Sequence, residues 1–505
     1  MPDASDSIGS RILSGLAWKA GSQVTLQITR MLVALTLARL LAPDQWGVAA
    51  MALVFSGFVI VFTDNALGTA LIQRRELLPG DRSTVFWINA AVGLLLMLVG
   101  VAVSGPLADF YDEPQVRVLF VVLSVSFLVN SLGTTQAALL VRDMEFRLLE
   151  LRLIIATVGG AVVAIAVALK GFGAWAIVTQ QLTEAVVSTV LLWRFSPWHP
   201  SATFSVDSIR RLGRFAGNVF AENLLYQGGR SGVYLMVGRF LGAAALGTYA
   251  LATNVILTPF SRIGAPLQQI FLPAFSTMQD DPGRMAAMWI RVTRLVAAVA
   301  APALVGLIII APDFVNVVLG PRWSAATPVI QILALVGLIQ ALQTLNGEIL
   351  LAMNRSGTLL RFTILWFVAT LAAVALGLHW GLLGVATCYA VATVLVELVR
   401  AHLAAHVLGI TVWRFFRSLA GVAQATVAMG AIVLLARAVL VAGDIPPAAR
   451  LPLLVAIGGL VYVPVCAWRV PEVAAEIRAV IARRRPAVGL ADRLGDQPPT
   501  LAQRL

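Results

Sequence analysis

Six ionisable residues sit where water should not be. Lys19, Arg30 and Asp64 lie in the first two long apolar segments of the chain, and Glu222, Arg230 and Arg262 in two apolar segments that open its second half. An ionisable group at the centre of a bilayer costs about 2.5–3.5 kcal/mol on insertion scales, so such groups face a partner or a wet cavity. Lys19 and Arg30 are eleven residues apart, three helical turns and about 16 Å along one face. Gln23 and Gln27 lie between them. Asn218, Glu222, Tyr226 and Arg230 recur every fourth residue, a second polar stripe, with Gln227 beside it. Guanidinium groups so placed favour an anion with planar oxygens, above all a phosphate. The competing reading is structural: Asp64 and Glu222 neutralise nearby arginines, and the stripes hold helices together. Glu184 and Glu397 are further intramembrane acids, read as ion-coupling or charge-balancing groups. Arg400, one turn after Glu397, favours an ion pair.

The elements carrying these residues are read from hydropathy. The chain has 505 residues, 59% hydrophobic and 12% charged, with mean hydropathy +0.87. Soluble domains carry about 25% charge. Fourteen apolar segments reach the roughly 20 residues a span needs. They are 13–40, 46–72, 85–107, 116–141, 151–169, 173–193, 212–240, 246–271, 288–311, 325–353, 359–378, 381–407, 419–441 and 451–468. The expected fold is an all-α polytopic membrane protein.

Arginines mark its sides. Of 37 basic residues, 26 fall at the two termini and the even-numbered gaps, and six in the odd gaps. That asymmetry places both termini in the cytoplasm. It also accounts for the net charge of +12 without a nucleic-acid partner. Arg39 and Arg239, at outer span ends, are expected to snorkel. Most of the 12 tryptophans fall near span ends, as an interfacial belt would. No cleavable signal is expected, because the first apolar run is too long. Cys388 and Cys466 read as small apolar residues. His402 and His406 have metal-ligand spacing but lack the glutamate of a zincin motif, so no metal is expected.

The chain also repeats. Shifted by 200 residues, positions 26–72 share ten identities with 226–272, among them Gln27/Gln227, Arg30/Arg230, Arg39/Arg239 and Gly47/Gly247. Two six-span lobes follow, 1–205 (N-lobe) and 206–408 (C-lobe). Six is even, so the repeat is parallel. Spans 13 and 14 form an extra C-terminal helix pair over 409–470, and 471–505 is a cytoplasmic tail.

Three motifs resemble one family. They are Thr63-Asp64-Asn65-Ala66-Leu67-Gly68-Thr69, Phe271-Leu272-Pro273-Ala274-Phe275-Ser276, and Gly320-Pro321-Arg322-Trp323 followed by Leu351-Ala352-Met353-Asn354-Arg355. Over about residues 10–470 the chain resembles the Wzx-type polysaccharide transporters of the multidrug/oligosaccharidyl-lipid/polysaccharide (MOP) exporter superfamily. The resemblance implies a flippase of the bacterial inner membrane, and not an enzyme. It would move an undecaprenyl-diphosphate-linked oligosaccharide repeat unit to the outer leaflet by alternating access of two lobes. Lys19, Arg30, Arg230 and Arg262 would bind the diphosphate, and Gln23, Gln27, Asn218, Tyr226 and Gln227 the sugars. No resident cofactor is implied; a coupling proton or sodium would be held at the acids. A polysaccharide polymerase and a chain-length regulator are the implied partners. The alternatives are a lipid-linked peptidoglycan precursor flippase and a multidrug or cation antiporter of the same superfamily. A polymerase or ligase acting on the same lipid would need a large outer loop for its chemistry, and the outer loops are about a dozen residues.

Overall fold

A computed structural model describes residues 4–57, 71, 79–205, 217–473 and 475; the side chains of 4–20, 79, 217–223, 226, 259–266 and 269 are outside that description. Every regular element among the described residues is helical. The first half holds α1 (Ala4–Leu40), α2 (Pro43–Leu53), α3 (Pro79–Tyr111), α4 (Pro114–Arg142), α5 (Phe146–Leu169) and α6 (Trp175–Phe195). The second holds α7 (Gly217–Ser276), α8 (Pro282–Phe314), α9 (Ala326–Leu342), α10 (Asn346–Ala352), α11 (Ser356–Gly377) and α12 (Gly381–Val407). A short α13 (Val412–Ser418) leads to α14 (Ala420–Ala442) and α15 (Pro447–Arg469). Ten described stretches are long and apolar enough to cross a bilayer, so the chain is a multi-pass membrane protein. One stretch, 356–407, contains both α11 and α12, separated by a 3-10 turn at Leu378–Trp380 and by Gly381 at φ +68°.

The breaks have local causes. Asp112, Asn354 and Asp444 adopt positive φ between consecutive helices, a conformation short polar side chains tolerate; Met144 does the same without that advantage. Residues 325–353, expected as one span, are two helices. The chain breaks over Gln343–Leu345, where Asn346 donates its side-chain amide to Gln343 and both side chains are buried. The expected spans 212–240 and 246–271 run together in α7, whose helical geometry fails at Gly242 (φ +82°). Positive φ there is open to glycine and strained for most other residues. The continuation of α2 across 58–70 lies outside the described residues.

The repeat has a structural counterpart. The start of α2 lies against the part of α7 that follows Gly242, with backbones in contact. A Cβ on Gly47 would lie 1.7 Å from the Ala243 carbonyl oxygen, and one on Gly247 would lie 1.8 Å from that of Pro43. Residue 47 thus meets 243 as 247 meets 43, the reciprocity of a two-fold contact between equivalent surfaces. Around it Ala49, Ala50, Ala52, Ala250 and Ala252 are buried, small side chains that let membrane helices approach closely.

At the same end Arg39 is exposed, as an arginine at a span end should be, and its guanidinium is also tied to backbone. Its Nε donates to the Val318 carbonyl at 2.8 Å and its Nη2 to that of Val317, the end of a π turn (Val315–Leu319) after α8. A guanidinium answers unpaired carbonyls at a helix C-terminus. Trp323 Nε1 donates to the Ala38 carbonyl at 2.6 Å, and its ring meets Trp46 edge-on at 6.0 Å. The tryptophans accordingly divide. Trp46, Trp289 and Trp323 are buried, whereas Trp87, Trp380, Trp413 and Trp468 are exposed as a belt requires. Arg239, the repeat partner of Arg39, lies over Phe110 at 5.8 Å, at the end of α3.

The helix pair α14–α15 is fixed to α8 by a buried carboxylate. Asp313, 1% exposed, accepts from Arg437 Nε and from Arg450 Nε, each at 2.7 Å. Tyr462 donates to the Ala298 carbonyl at 2.8 Å, a second tie from α15 to α8.

Candidate functional site

In the first half, α1, α5 and α6 assemble a polar cluster. Ser22 Oγ donates to Glu150 Oε2 at 2.6 Å, and Gln23 Nε2 reaches the same oxygen at 3.4 Å. Glu150 is buried, and Arg152 interacts with it electrostatically. Farther along, Gln180 Nε2 donates to Glu184 Oε1 at 3.0 Å, and Arg30 interacts electrostatically with Glu184. Gln23 and Arg30 share one face of α1, Gln23 bonded to an acid of α5 and Arg30 within electrostatic reach of one on α6. Gln27 is half-buried on the same helix.

The second half holds a cavity of about 540 Å³ between α7, α9, α10, α11 and α12. Its aromatic wall is Tyr234, Tyr249, Trp366 and Tyr389, and Arg230 opens into it. Tyr234 and Tyr249 meet edge-on at 5.9 Å, and Gln340 Nε2 donates to Tyr389 at 3.4 Å. At the α12 side Arg400 Nη2 pairs with Glu397 Oε2 at 2.6 Å and stands over the Phe362 ring at 5.3 Å. Rings beside hydroxyls and one exposed guanidinium suit a polar ligand carrying both negative charge and flat apolar faces.

Of the residues singled out from sequence, Arg230 and Glu397 line this cavity together, while Arg30 and Glu184 lie in the first half within electrostatic reach of each other. Gln227 points elsewhere. Its Nε2 donates to Ser231 Oγ at 3.0 Å, which in turn donates to the Val54 carbonyl at 3.1 Å, a bridge to the α2 side. Lys19, Asn218, Glu222, Tyr226 and Arg262 lie on described helices, but their side chains are outside the description, as is Asp64 altogether. His402 and His406 stack in parallel at 6.3 Å, and no group of three metal-ligating side chains occurs among the described residues.

Glu150, Tyr234, Tyr249, Trp366 and Tyr389 were not singled out from sequence. Tyr234 alone carried a signal, since it continues the four-residue ladder from Tyr226 and Arg230. Glu150 sits at the start of a span and reads as an interfacial acid; only a contact across 128 residues reveals its partner.

Comparison with known proteins follows this geometry. A family described as "Polysaccharide biosynthesis protein" matches residues 36–328, more than half of the chain. The chain belongs to that family. It is 27% identical to the teichuronic acid biosynthesis protein TuaB of Bacillus subtilis, over 84% of this chain and 89% of that one. It is 25% identical to the lipopolysaccharide biosynthesis protein WzxC of Escherichia coli, over 74% and 76%. It is 29% identical to the succinoglycan biosynthesis transport protein ExoT of Rhizobium meliloti, over 68% and 69%. Its fold matches the lipid II flippase MurJ in an inward closed conformation, with a TM-score of 0.74 at 12% identity, over 91% of this chain and all of that one. An inward-facing multidrug MATE transporter matches with a TM-score of 0.57 at 12% identity, over 77% and 98%.

Proposed function

We propose that the protein flips a diphosphate-linked lipid oligosaccharide, with undecaprenol as the lipid, from the cytoplasmic to the outer leaflet of the bacterial inner membrane. The observation that carries this reading is the second-half cavity, where Arg230 faces an aromatic and hydroxyl-rich wall. The guanidinium suits a phosphate, and the rings suit sugar faces. The names of the relatives, which speak of teichuronic acid, lipopolysaccharide and succinoglycan, support a saccharide cargo.

The full architecture belongs to the same proposal. We read fourteen spans into it by taking α7 as two about its break at Gly242, α9 with α10 as one, α2 as the start of one, and the short α13 as none. Six fall in each of two lobes, 1–205 and 206–408, with α14–α15 as the extra pair and both termini in the cytoplasm. The Arg39–Trp323 end is then the outer end, closed in this conformation, and transport alternates between this closure and an opening there. Arg30 completes the anion path from the first half, with Lys19 and Arg262. Gln23, Gln27, Asn218 and Tyr226 contact sugar hydroxyls, and Gln227 does so only in a conformation that releases its bond to Ser231. Asp64, Glu222, Glu184 and Glu397 balance the cations or hold a coupling proton or sodium. A polymerase and a chain-length regulator receive the product.

The test is export of surface polysaccharide in a deletion strain carrying Arg230→Ala, with lipid-linked intermediates extracted in parallel. Polymer is expected to fall roughly 10- to 150-fold at equal protein level, as loss of a charge-assisted contact worth about 1.5–3 kcal/mol requires. Intermediates should accumulate on the inner leaflet. Arg230→Lys should recover part of the export, since charge survives while the planar fork does not. Unchanged polymer together with altered drug tolerance would move the protein to the antiporter reading.

A further inference from the structure

A second polar pocket lies away from the cavity. It has a volume of about 490 Å³ and is formed by α8, α13 and the segment after α15. Arg291 and Arg294 stand one turn apart on α8, Arg414 comes from α13, and Ile290 supplies an apolar wall. Glu472 also lines the pocket and pairs with Arg294. Among the described residues, three guanidinium groups and one carboxylate line the pocket. The Nε of Arg294 is buried without a hydrogen-bond partner among the described residues.

Its depth is marked independently. Trp413, next to Arg414, is 71% exposed, and Trp468, at the end of α15, is 74% exposed. Tryptophan is enriched at headgroup level in membrane proteins. The α13 helix is one of interfacial type. Phe415 is buried and stacks on Trp289 at 4.3 Å, whereas Arg414 and Arg417 face out. The pocket is thus cationic, apolar on one side, and at the level of lipid phosphates.

We propose that this pocket binds the phosphate of an anionic phospholipid, with the acyl chains lying along α8 beside Ile290. Arginine matches phosphate oxygens in a fork geometry, and basic pockets between membrane helices hold lipid headgroups. Glu472 occupies part of the site and competes with the headgroup for Arg294. The proposal is independent of what the central cavity carries.

The experiment is native mass spectrometry of the full-length, delipidated protein titrated with phosphatidylglycerol or with phosphatidylcholine of the same chain length. Wild type should retain phosphatidylglycerol preferentially. An arginine near the surface is worth about fivefold in binding, so Arg291→Gln/Arg294→Gln/Arg414→Gln should weaken retention by roughly 100-fold. Glu472→Gln, which removes the competitor and leaves every arginine in place, should strengthen it about fivefold. Equal retention of the two lipids by wild type, or a Glu472→Gln variant no tighter than wild type, would overturn the proposal. Displacement of phosphatidylglycerol by millimolar inorganic phosphate would assign the pocket to a soluble anion and overturn the lipid assignment.

Discussion

Gly47→Ala and Gly247→Ala are each expected to abolish polymer export while the protein remains in the membrane. A methyl group at Gly47 would be built 1.7 Å from the Ala243 carbonyl oxygen, and one at Gly247 would lie 1.8 Å from that of Pro43. A flexible side chain could swing aside from such a clash. A backbone carbonyl within a helix cannot, so α2 and α7 must separate. Overpacking a core costs about 1–3 kcal/mol when side chains can adjust. Here the cost falls on one conformation, the one in which these helices meet. A penalty of about 3 kcal/mol shifts a two-state equilibrium more than 100-fold. The readout is maleimide labelling of a Leu41→Cys variant in a background lacking Cys388 and Cys466, with a membrane-impermeant reagent. Leu41 is 1% exposed in the closed end. With both glycines intact the introduced thiol should resist labelling, and in the Gly47→Ala background it should label readily. Normal export together with a thiol still protected would show that the contact is dispensable and that this end is not a gate.

Asp313→Ala should be the most destabilising single change among the described residues outside the gate. The carboxylate is the shared partner of Arg437 and Arg450, which approach from α14 and α15. Their side chains are 26% and 12% exposed, so neither is freely hydrated once the carboxylate is gone. Removing one partner of a buried ion pair costs about 3–5 kcal/mol, because the remaining charge stays buried and uncompensated. Thermal unfolding of the detergent-solubilised protein should show an early transition, with limited proteolysis mapping it to α14–α15. Asp313→Asn should fall between, keeping hydrogen bonds and losing charge. An unchanged melting profile for Asp313→Ala would mean that the helix pair is held by its apolar contacts with α8 alone.

The candidate site was legible in proportion to how local its pattern is. Arg230 was found because a single helix carries the Asn218–Arg230 ladder, and Glu397 because Arg400 follows one turn later, an arrangement the 2.6 Å ion pair reproduces. Trp366 and Tyr389 belong to different helices from Arg230 and have no spacing relation to it; only the packing of α7 with α11 and α12 gathers them. Arg39 shows the same limit. Its position at a span end predicts an exposed guanidinium, which it has, but not the carbonyl pair 278 and 279 residues away to which it is bonded. No periodicity carries that information.

By itself the sequence determined the all-helical, membrane-embedded class, because burying backbone polar groups in lipid leaves helices as the default for long apolar runs. It located most of the described long helices, and 381–407 to the residue, since glycine at a turn and arginine at an interface act through local geometry and hydration. It also exposed the 200-residue repeat and, within it, the paired glycines. The tertiary structure decided what those glycines are for, which acids face which cations, and that Asp313 pins two helices. These depend on which helix faces meet. In a chain whose helices are apolar all round, hydropathy cannot rank one face over another, and close backbone approach, hydrogen bonding and ion pairing between distant residues make that choice.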